Sequence, residues 1–458
     1  MKVTRREFVA LASALLPACG VTTGSTGNNG EGGNPDAGNN GTTFQPGPEP
    51  SPWTAPGTQD DVAFAWGVQT GDVTATSALL SVRTLESTVT LTVMRGTAGG
   101  WEQVSTGQAF TPSDDVVQLE LTELLPDTSY AVVFHGEDGE RRSRVARFRT
   151  APPADFTRVI RFGATSCLGG NRPWDTLTFA SDERLDFFVL LGDTIYADDP
   201  PNQYDFEGKW SSALKVFGLN DVTASTSVIA TWDDHEVSDN WSHETPGMTA
   251  RAAEAMTSFR RAIPQRGGPD GVLWRKLSWG GAMDVFVLDC RGERLDGNYV
   301  SPEQLAWLKQ ELSASRAKFK IMVNSVPIAD FTGTVVGTAR QEDRWQGYPQ
   351  QREELLQHIK DNNITGVLWV AGDFHIAGIG TVDPVGGPAE NTFEVLAGPG
   401  GSPINQFAGF FNPDDRFLVV VKTWNYTYFE ADPATGKVLV RYVGDDGSVL
   451  AEETLQVA

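Results

Sequence analysis

Val228-Ile229-Ala230-Thr231-Trp232-Asp233-Asp234-His235-Glu236 is an apolar run that stops in three carboxylates and an imidazole. The first four residues read as a strand buried on both faces. Charges placed directly behind such a strand are costly near a core unless a cation meets them. The same arrangement recurs. Val159–Ala164 runs into Thr165-Ser166-Cys167, Phe187–Leu191 into Gly192-Asp193-Thr194-Ile195-Tyr196, and Val367–Val370 into Ala371-Gly372-Asp373-Phe374-His375. Asp373 and His375 alternate, so an extended segment puts them on one face. Asn240 follows the first cluster. In layered α/β folds sites form at the carboxyl ends of the strands. Four strands delivering ligands to that edge predict one shared pocket.

Each cluster alone has a plainer reading. A Gly-Asp after a strand is commonly a turn, and a single tyrosine is commonly a core residue. The four together carry the prediction. Thiolate, phenolate, carboxylate and imidazole suit a hard-to-borderline ion such as ferric iron. Asp and Asn oxygens suit calcium, magnesium or manganese. Two ions bridged by one aspartate can activate a water and clamp an in-line displacement at phosphorus.

Outward from these clusters, residues 152–458 alternate apolar strands with helices, the mark of a layered α/β domain. Further strands are predicted at Val285–Leu288, Ile321–Val323 and Phe393–Leu396. Ser301, Pro302 and Gln304 give an N-cap, an N1 proline and a capping-box position ahead of Leu305, Leu308 and Leu312. Glu353–Ile359 reads as a second helix, and the tail after Phe417 returns to strands. Residues 58–151 are different. Short alternating runs such as Val89–Val93 and Val116–Leu121 predict a β-sandwich, and Leu125-Pro126-Asp127-Thr128-Ser129-Tyr130 has the form of a tyrosine corner. This unit resembles a fibronectin type III-like module.

The first nineteen residues carry Arg5-Arg6 before an apolar run too short to span a bilayer, an export signal of the twin-arginine kind. Leu16-Pro17-Ala18-Cys19-Gly20 resembles a lipobox with Cys19 as the lipidated residue; ordinary cleavage after Ala18 is the alternative. Residues 20–57, rich in Gly, Asn, Thr, Pro and Ser, read as a flexible tether. The expectation is an exported monomer, periplasmic or at the cell surface, held to a membrane through Cys19. The net charge of −23 repels nucleic acid at long range, and the sequence shows no basic face of the kind nucleic-acid binders carry. Of three cysteines, Cys167 and Cys290 remain if Cys19 is lipidated, and a disulfide between them is the competing expectation.

The ordered set resembles the PhoD-like branch of the metallophosphoesterase superfamily. The match takes in Phe64-Ala65-Trp66-Gly67-Val68-Gln69-Thr70-Gly71-Asp72, the four clusters, Leu288-Asp289-Cys290-Arg291, Gln304-Leu305-Ala306-Trp307-Leu308, and Gly347-Tyr348-Pro349 with Arg352. The resemblance implies a four-layer αββα core holding Fe3+ and Ca2+, with Mn2+, Zn2+ or Mg2+ as alternatives. It implies that Cys167, Asp193, Tyr196 and His375 hold the iron, with Asp193 bridging. Asp234, Asn240 and Asp373 would hold the second ion, the choice between Asp233 and Asp234 staying open. His235 would lie near the leaving-group oxygen, Asp234 beside it, and Arg291 near the phosphate. The implied reaction is hydrolysis of small phosphomonoesters or phosphodiesters by a metal-bound hydroxide. The alternatives are a phospholipase D-like phosphodiesterase and a tethered surface-binding protein with a degenerate core. The resemblance departs at Cys290, Thr70, Val73 and Asp239, and no C-terminal helix is found to cover the site.

Overall fold

Phe187–Leu191 is Phe-Phe-Val-Leu-Leu, and all five side chains are buried. Phe187, Val189 and Leu191 point to one apolar layer, while Phe188 and Leu190 point to another. A strand apolar on every position needs cover on both faces, and the computed structural model, which describes residues 44–169, 174–198, 206–329, 341–405 and 416–458, shows that cover. The leader with Cys19, and residues 20–43 of the predicted tether, lie outside the described residues. The rest of it, residues 44–57, packs on the N-terminal unit, Gly47 donating its backbone N–H to the Asp127 carbonyl at 3.0 Å and Glu49 pairing with Arg149 at 3.2 Å.

Among the described residues two large sheets stack face to face. The four strands that end in candidate ligands are β1 (Ile160–Thr165), β2 (Phe187–Leu191), β3 (Ser227–Thr231) and β4 (Val367–Ala371). β1, β2 and β3 lie side by side and parallel in a nine-stranded sheet. β4 lies in a seven-stranded sheet, parallel to Phe319–Asn324 and to Phe393–Leu396. The layer between the sheets joins Phe162, Phe187, Val189 and Ile229 to Val285, Ile321, Leu368 and Val395.

Helices cover the outer faces. α1 (Asp175–Asp182), α2 (Phe206–Leu214), α3 (Leu219–Ser225) and α4 (Met248–Ala262) pack on the nine-stranded sheet through Leu177, Trp210, Val222 and Phe259. α5 (Pro302–Ala314) and α6 (Pro349–Asp361) pack on the other sheet through Leu305, Leu308, Leu312, Leu355 and Ile359. The order of layers is helix, sheet, sheet, helix. Ser301 caps α5, its Oγ accepting from the Gln304 backbone N–H at 3.1 Å. Gln304 departs from the capping-box expectation. Its side-chain amide bonds the backbone N–H and C=O of Asp289 instead, at 2.9 and 3.0 Å, and so holds the loop after Val287. The tail runs as strands, with no helix after α6 among the described residues.

The N-terminal part forms two β layers around their own core, with Val68, Leu80 and Leu119 facing Leu91, Val132 and Phe134. The Tyr130 hydroxyl accepts from the Leu125 backbone N–H at 2.9 Å, the geometry of a tyrosine corner. The expected change of architecture near residue 151 is bridged by a shared sheet. Val68–Gly71, Ala78–Arg83 and Val116–Leu121 continue the nine-stranded sheet beyond β3, joined where Gly71 pairs with Val228. Gly71 has no room for a side chain there, since a Cβ would lie 1.8 Å from the Pro264 carbonyl oxygen.

Asp72 locks this joint. Its φ of 42° lies in the left-handed region. Its fully buried carboxylate takes a bidentate contact from Arg275, 2.7 and 2.9 Å, and the Arg266 backbone N–H at 2.6 Å. Removing one partner of a buried, hydrogen-bonded ion pair leaves the other charge stranded, at about 3–5 kcal/mol. Asp72→Ala is therefore expected to lower unfolding free energy by that order in a denaturant titration. A loss below about 0.5 kcal/mol, the range of ordinary surface substitutions, would mean the pair does not hold the joint.

Candidate metal centre

Cys167, Asp193, Asp233, Asp234 and Asp373 each stand within three residues of the carboxyl end of one of β1 to β4; the first four are buried and Asp373 is half-buried. Among the described residues three groups of side chains offer ligand atoms within 4.8 Å of one another: Cys167, Asp193 and His375; Asp193, Asp234 and His235; Asp233, Asp234 and Asp373. Asp193 belongs to two groups and Asp234 to two, so the groups form one chain of adjoining positions. Tyr196 joins the first group, its hydroxyl 3.4 Å from Asp193 Oδ2 and 3.3 Å from His375 Nε2. His375 Nδ1 donates to the Pro403 carbonyl at 2.8 Å, which leaves Nε2 as the free nitrogen pointing into the group.

The backbone here is bent to present these groups. Cys167, Asp193, Asn240, Asp373 and His375 all have φ between 49° and 65°, a region that L side chains enter at an energetic cost and that clusters at functional sites. Glu236 holds the bends together. One carboxylate oxygen accepts from the backbone N–H groups of Asp193 and Asp233, both at 2.9 Å, and the other from Thr194 at 2.7 Å. One buried carboxylate thus ties the loop after β2 to the loop after β3.

Charge in this pocket is badly out of balance. Asp193, Asp233, Asp234 and Glu236 are buried and Asp373 is half-buried, with Arg291 as the guanidinium among them. Burial pushes the Asp373 carboxyl up to about 7, with Asp233 adding to it and Arg291 opposing. Burial likewise raises Asp233 to about 6 against the pull of Arg291, and Glu236 to about 7 against its four backbone donors, Asp233, Asp193, Thr194 and Ile195. Asp193 and the Cys167 thiol are raised well above their ordinary values, first by burial and then by neighbouring carboxylates. Asp234 is lowered, because Arg291, His235 and backbone donors outweigh its burial. Asp234 Oδ1 is buried and accepts no hydrogen bond among the described residues. These residues fit metal ions: a thiol, a phenol, an imidazole and more carboxylates than Arg291 and His235 can neutralise are gathered in one place.

The remaining predicted residues fall as follows. Asn240 lines the cleft, with its backbone N–H donated to Asp234 Oδ2. His235 stacks on Tyr196, ring centroids 4.1 Å apart, and Nδ1 meets both oxygens of Asp198 at 2.8 Å. Arg291 differs from the expected phosphate contact. It is 1% exposed, donates from Nε to Asp233 Oδ1 at 2.6 Å, and is directed into the carboxylates. Asp233 is correspondingly engaged by Arg291 and by Ser325 Oγ at 3.0 Å, so Asp234 is the freer of the two aspartates. Cys167 and Cys290 are both free and buried, Cys167 Sγ lying 3.5 Å from Asp193 and Cys290 Sγ 2.8 Å from Asn324 Oδ1, so the disulfide does not form.

Sequence reasoning passed over the run Ala397-Gly398-Pro399-Gly400-Gly401-Ser402-Pro403. Gly400, Gly401 and Ser402 donate backbone N–H groups to Ser166 and Cys167 carbonyls at 2.9 to 3.1 Å, and Ser402 Oγ lies 2.6 Å from the Tyr196 hydroxyl. The signal was there: glycines directly after the strand Phe393–Leu396, where backbone must approach backbone closely. The cleft above the centre has a volume of about 460 Å3 and is lined by Asp193, Asp234, His235, Asn240, Asp373 and His375 among others. A second cleft of about 360 Å3 shares Asp239 and Asn240 with it and extends to Glu244, Arg294 and Tyr348.

Comparison with known proteins agrees with this architecture. Residues 162–417 match the family model described as PhoD-like phosphatase, and residues 51–152 match that of the PhoD-like phosphatase N-terminal domain. Alkaline phosphatase D of Bacillus subtilis (strain 168) is 27% identical over 311 residues, 57% of this chain. The match spans about half of that relative, 53% of its length. A solved structure of PhoD superposes with a TM-score of 0.74 at 22% identity, covering 88% of this chain and 90% of that one. A purple acid phosphatase, PPD1 from yellow lupin (Lupinus luteus) seeds, superposes with a TM-score of 0.61 at 16% identity, covering 85% and 73%. At such identities these two structures speak for the fold.

Acids with raised pKa values hold protons in the folded state at pH values where the unfolded chain has released them, so the metal-free fold loses stability as pH rises. For Asp233, Asp373 and Glu236 the window runs from about 4 to about 7. Chelator-treated protein should show a Tm that falls across this window, whereas metal-loaded protein should not. Parallel Tm curves for the two forms would contradict the charge imbalance described here.

Proposed function

The chain belongs to the PhoD-like phosphatase family, and from that premise and the geometry of the centre we propose that it is an exported, metal-dependent phosphoesterase. The observation that carries the reading is the chain of three ligand groups sharing Asp193 and Asp234 at the floor of one open cleft. Ferric iron at Cys167, Asp193, Tyr196 and His375, with calcium at Asp234, Asn240 and Asp373, is the loading this donor set favours. Cations bound there would supply a nucleophilic water at neutral pH and neutralise charge on the phosphoryl group.

The residues of the chain do the rest. Asp193 is held at its backbone N–H by Glu236, and its carboxylate faces two groups at once, Oδ2 toward Cys167 and Tyr196 and Oδ1 toward His235. His375 is fixed by Pro403 and Tyr196 by Ser402, which sets both rings before any ligand arrives. Arg291 holds Asp233 and offsets part of the negative charge beneath the cleft, an indirect part in the reaction. His235 is the proton donor. Burial alone would lower its pKa, but in the metal-free chain the hydrogen bond it donates to Asp198 and the charges of Asp193 and Asp234 raise it to about 10. With Nδ1 held by Asp198, a protonated His235 would present Nε2 to a departing alcohol oxygen.

The second cleft adjoining at Asp239 and Asn240 favours substrates with a sizeable second substituent, so phosphodiesters stand beside phosphomonoesters, and a phospholipase D-like phosphodiesterase is the second reading. The complete donor set argues against a degenerate binding protein. Export by the twin-arginine route, a lipid anchor at Cys19, a periplasmic or cell-surface location and a monomeric state belong to the same proposal, as does a fibronectin type III-like N-terminal unit serving as support. Its tyrosine corner favours that likeness.

Purified, metal-replete protein is expected to hydrolyse aryl phosphate mono- or diesters at neutral to alkaline pH; no turnover across a broad phosphoester panel would remove the enzymatic reading. Tyr196→Phe should abolish a visible tyrosinate-to-iron absorption band while leaving the fold intact by circular dichroism. Cys167→Ser should weaken iron binding by more than about 10- to 100-fold, the loss that follows from altering a ligand's outer-shell partner. An unchanged spectrum in the first variant would take Tyr196 out of the ligand set.

A further inference from the structure

The chain is strongly acidic, yet residues 140–149 read Glu-Arg-Arg-Ser-Arg-Val-Ala-Arg-Phe-Arg. The expectation that no basic face exists passes over this segment. Most of its arginines are neutralised where they stand. Arg141 pairs with Glu86 and Asp138, Arg144 with Asp221, and Arg149 with Asp127 and Glu49. Arg142 and Arg147 have no acidic partner within 4.0 Å among the described residues. Arg142 donates Nε to the Gly57 carbonyl at 3.2 Å and Nη1 to the Ser143 carbonyl at 2.9 Å. Those contacts hold the guanidinium in place without cancelling its charge.

Arg142, Arg144 and Arg147 line one cleft of about 390 Å3, together with Trp53, Ser181 and Ser225. Asp182 and Asp221 are the acids in its wall, and Asp221 is already taken by Arg144. The local balance is therefore positive in a chain of net charge −23. Guanidinium forks are donors that recognise tetrahedral oxyanions. The Ser181 and Ser225 hydroxyls donate to the Thr178 and Val222 carbonyls of their own helices, so the arginines supply the donors here. The cleft is remote from the metal centre. Ser181 lies in the last turn of α1, just before β2, and Ser225 ends α3, just before β3. Both serines thus mark the amino ends of strands whose carboxyl ends deliver Asp193 and Asp233. Five residues of strand separate the two edges, about 16 Å at the usual rise.

We propose that this cleft is a second, non-catalytic oxyanion site, taking a phosphate-class ligand between the N-terminal unit and the helices of the nine-stranded sheet. The ligand is either free phosphate or a phosphate group borne on an ester. The inference stands independently of the reaction at the metal centre, since it uses none of the same residues.

Calorimetric titration of the metal-replete protein with inorganic phosphate tests it, run beside the Arg142→Ala/Arg147→Ala double variant. The expected result is one more binding event in the unaltered protein than in the double variant. Turnover of a small aryl phosphate should be the same in both, which also shows that the variant is folded. Arg147→Lys, which keeps the charge and loses the fork, should bind with intermediate strength. Methylphosphonate separates the sources: if it reproduces the extra event, an ester-borne group is accommodated, and if phosphate alone does so, the free ion is the ligand. Identical isotherms for the unaltered protein and the double variant would overturn the proposal.

Discussion

The structure turns on the burial of more negative charge than the chain can neutralise. Five carboxylates, a thiol and a phenol meet at one edge of two stacked sheets, with Arg291 set among them. A buried carboxylate without a partner costs several kcal/mol, a large part of the net stability of a typical domain. Such a pocket persists because cations complete it or because protons do. The raised pKa values of Asp193, Asp233, Glu236 and Asp373 are the proton version of that demand. The overlap of the ligand groups at Asp193 and Asp234 is the metal version.

The scaffold makes this arrangement rigid in a definite way. β1, β2 and β3 are parallel neighbours, so their carboxyl ends are adjacent by hydrogen-bond register alone. β4 approaches from the facing sheet, across the apolar layer of Phe187, Ile229 and Leu368. The left-handed φ values at Cys167, Asp193, Asp373 and His375 then turn each chain sharply enough to point its side chain inward. Glu236 and the glycine-rich run after Phe393–Leu396 tie those turns to one another. The N-terminal unit contributes at one remove: its strands extend the same sheet beyond β3, and the Asp72–Arg275 pair seals the joint.

Much of this was legible in the sequence. Apolar runs ending in ligands gave away the strands and the edge that matters, because buried parallel strands and their exits are local patterns. The helix after Ser301 was legible for the same reason. What stayed hidden depends on contacts between distant residues. Nothing local announces that Glu236 reaches the backbone of Asp193, or that Arg291 turns into Asp233 instead of toward the cleft. Asp198 could be suspected only once His235 was seen beside it. The continuity of the sheet across residue 151 rests on one pairing, Gly71 with Val228, between residues far apart in the chain. The arginines at 141–149 were visible but unreadable as a site, since which of them are neutralised is decided by Glu86, Asp127 and Asp221.

Elemental analysis of the purified, folded protein tests the central claim most directly. Bound metal in at least a one-to-one ratio with the chain, including iron, and its loss when Asp193 is replaced by alanine, is the result this account predicts. A stable folded chain that carries no stoichiometric metal after exposure to iron and calcium would contradict it.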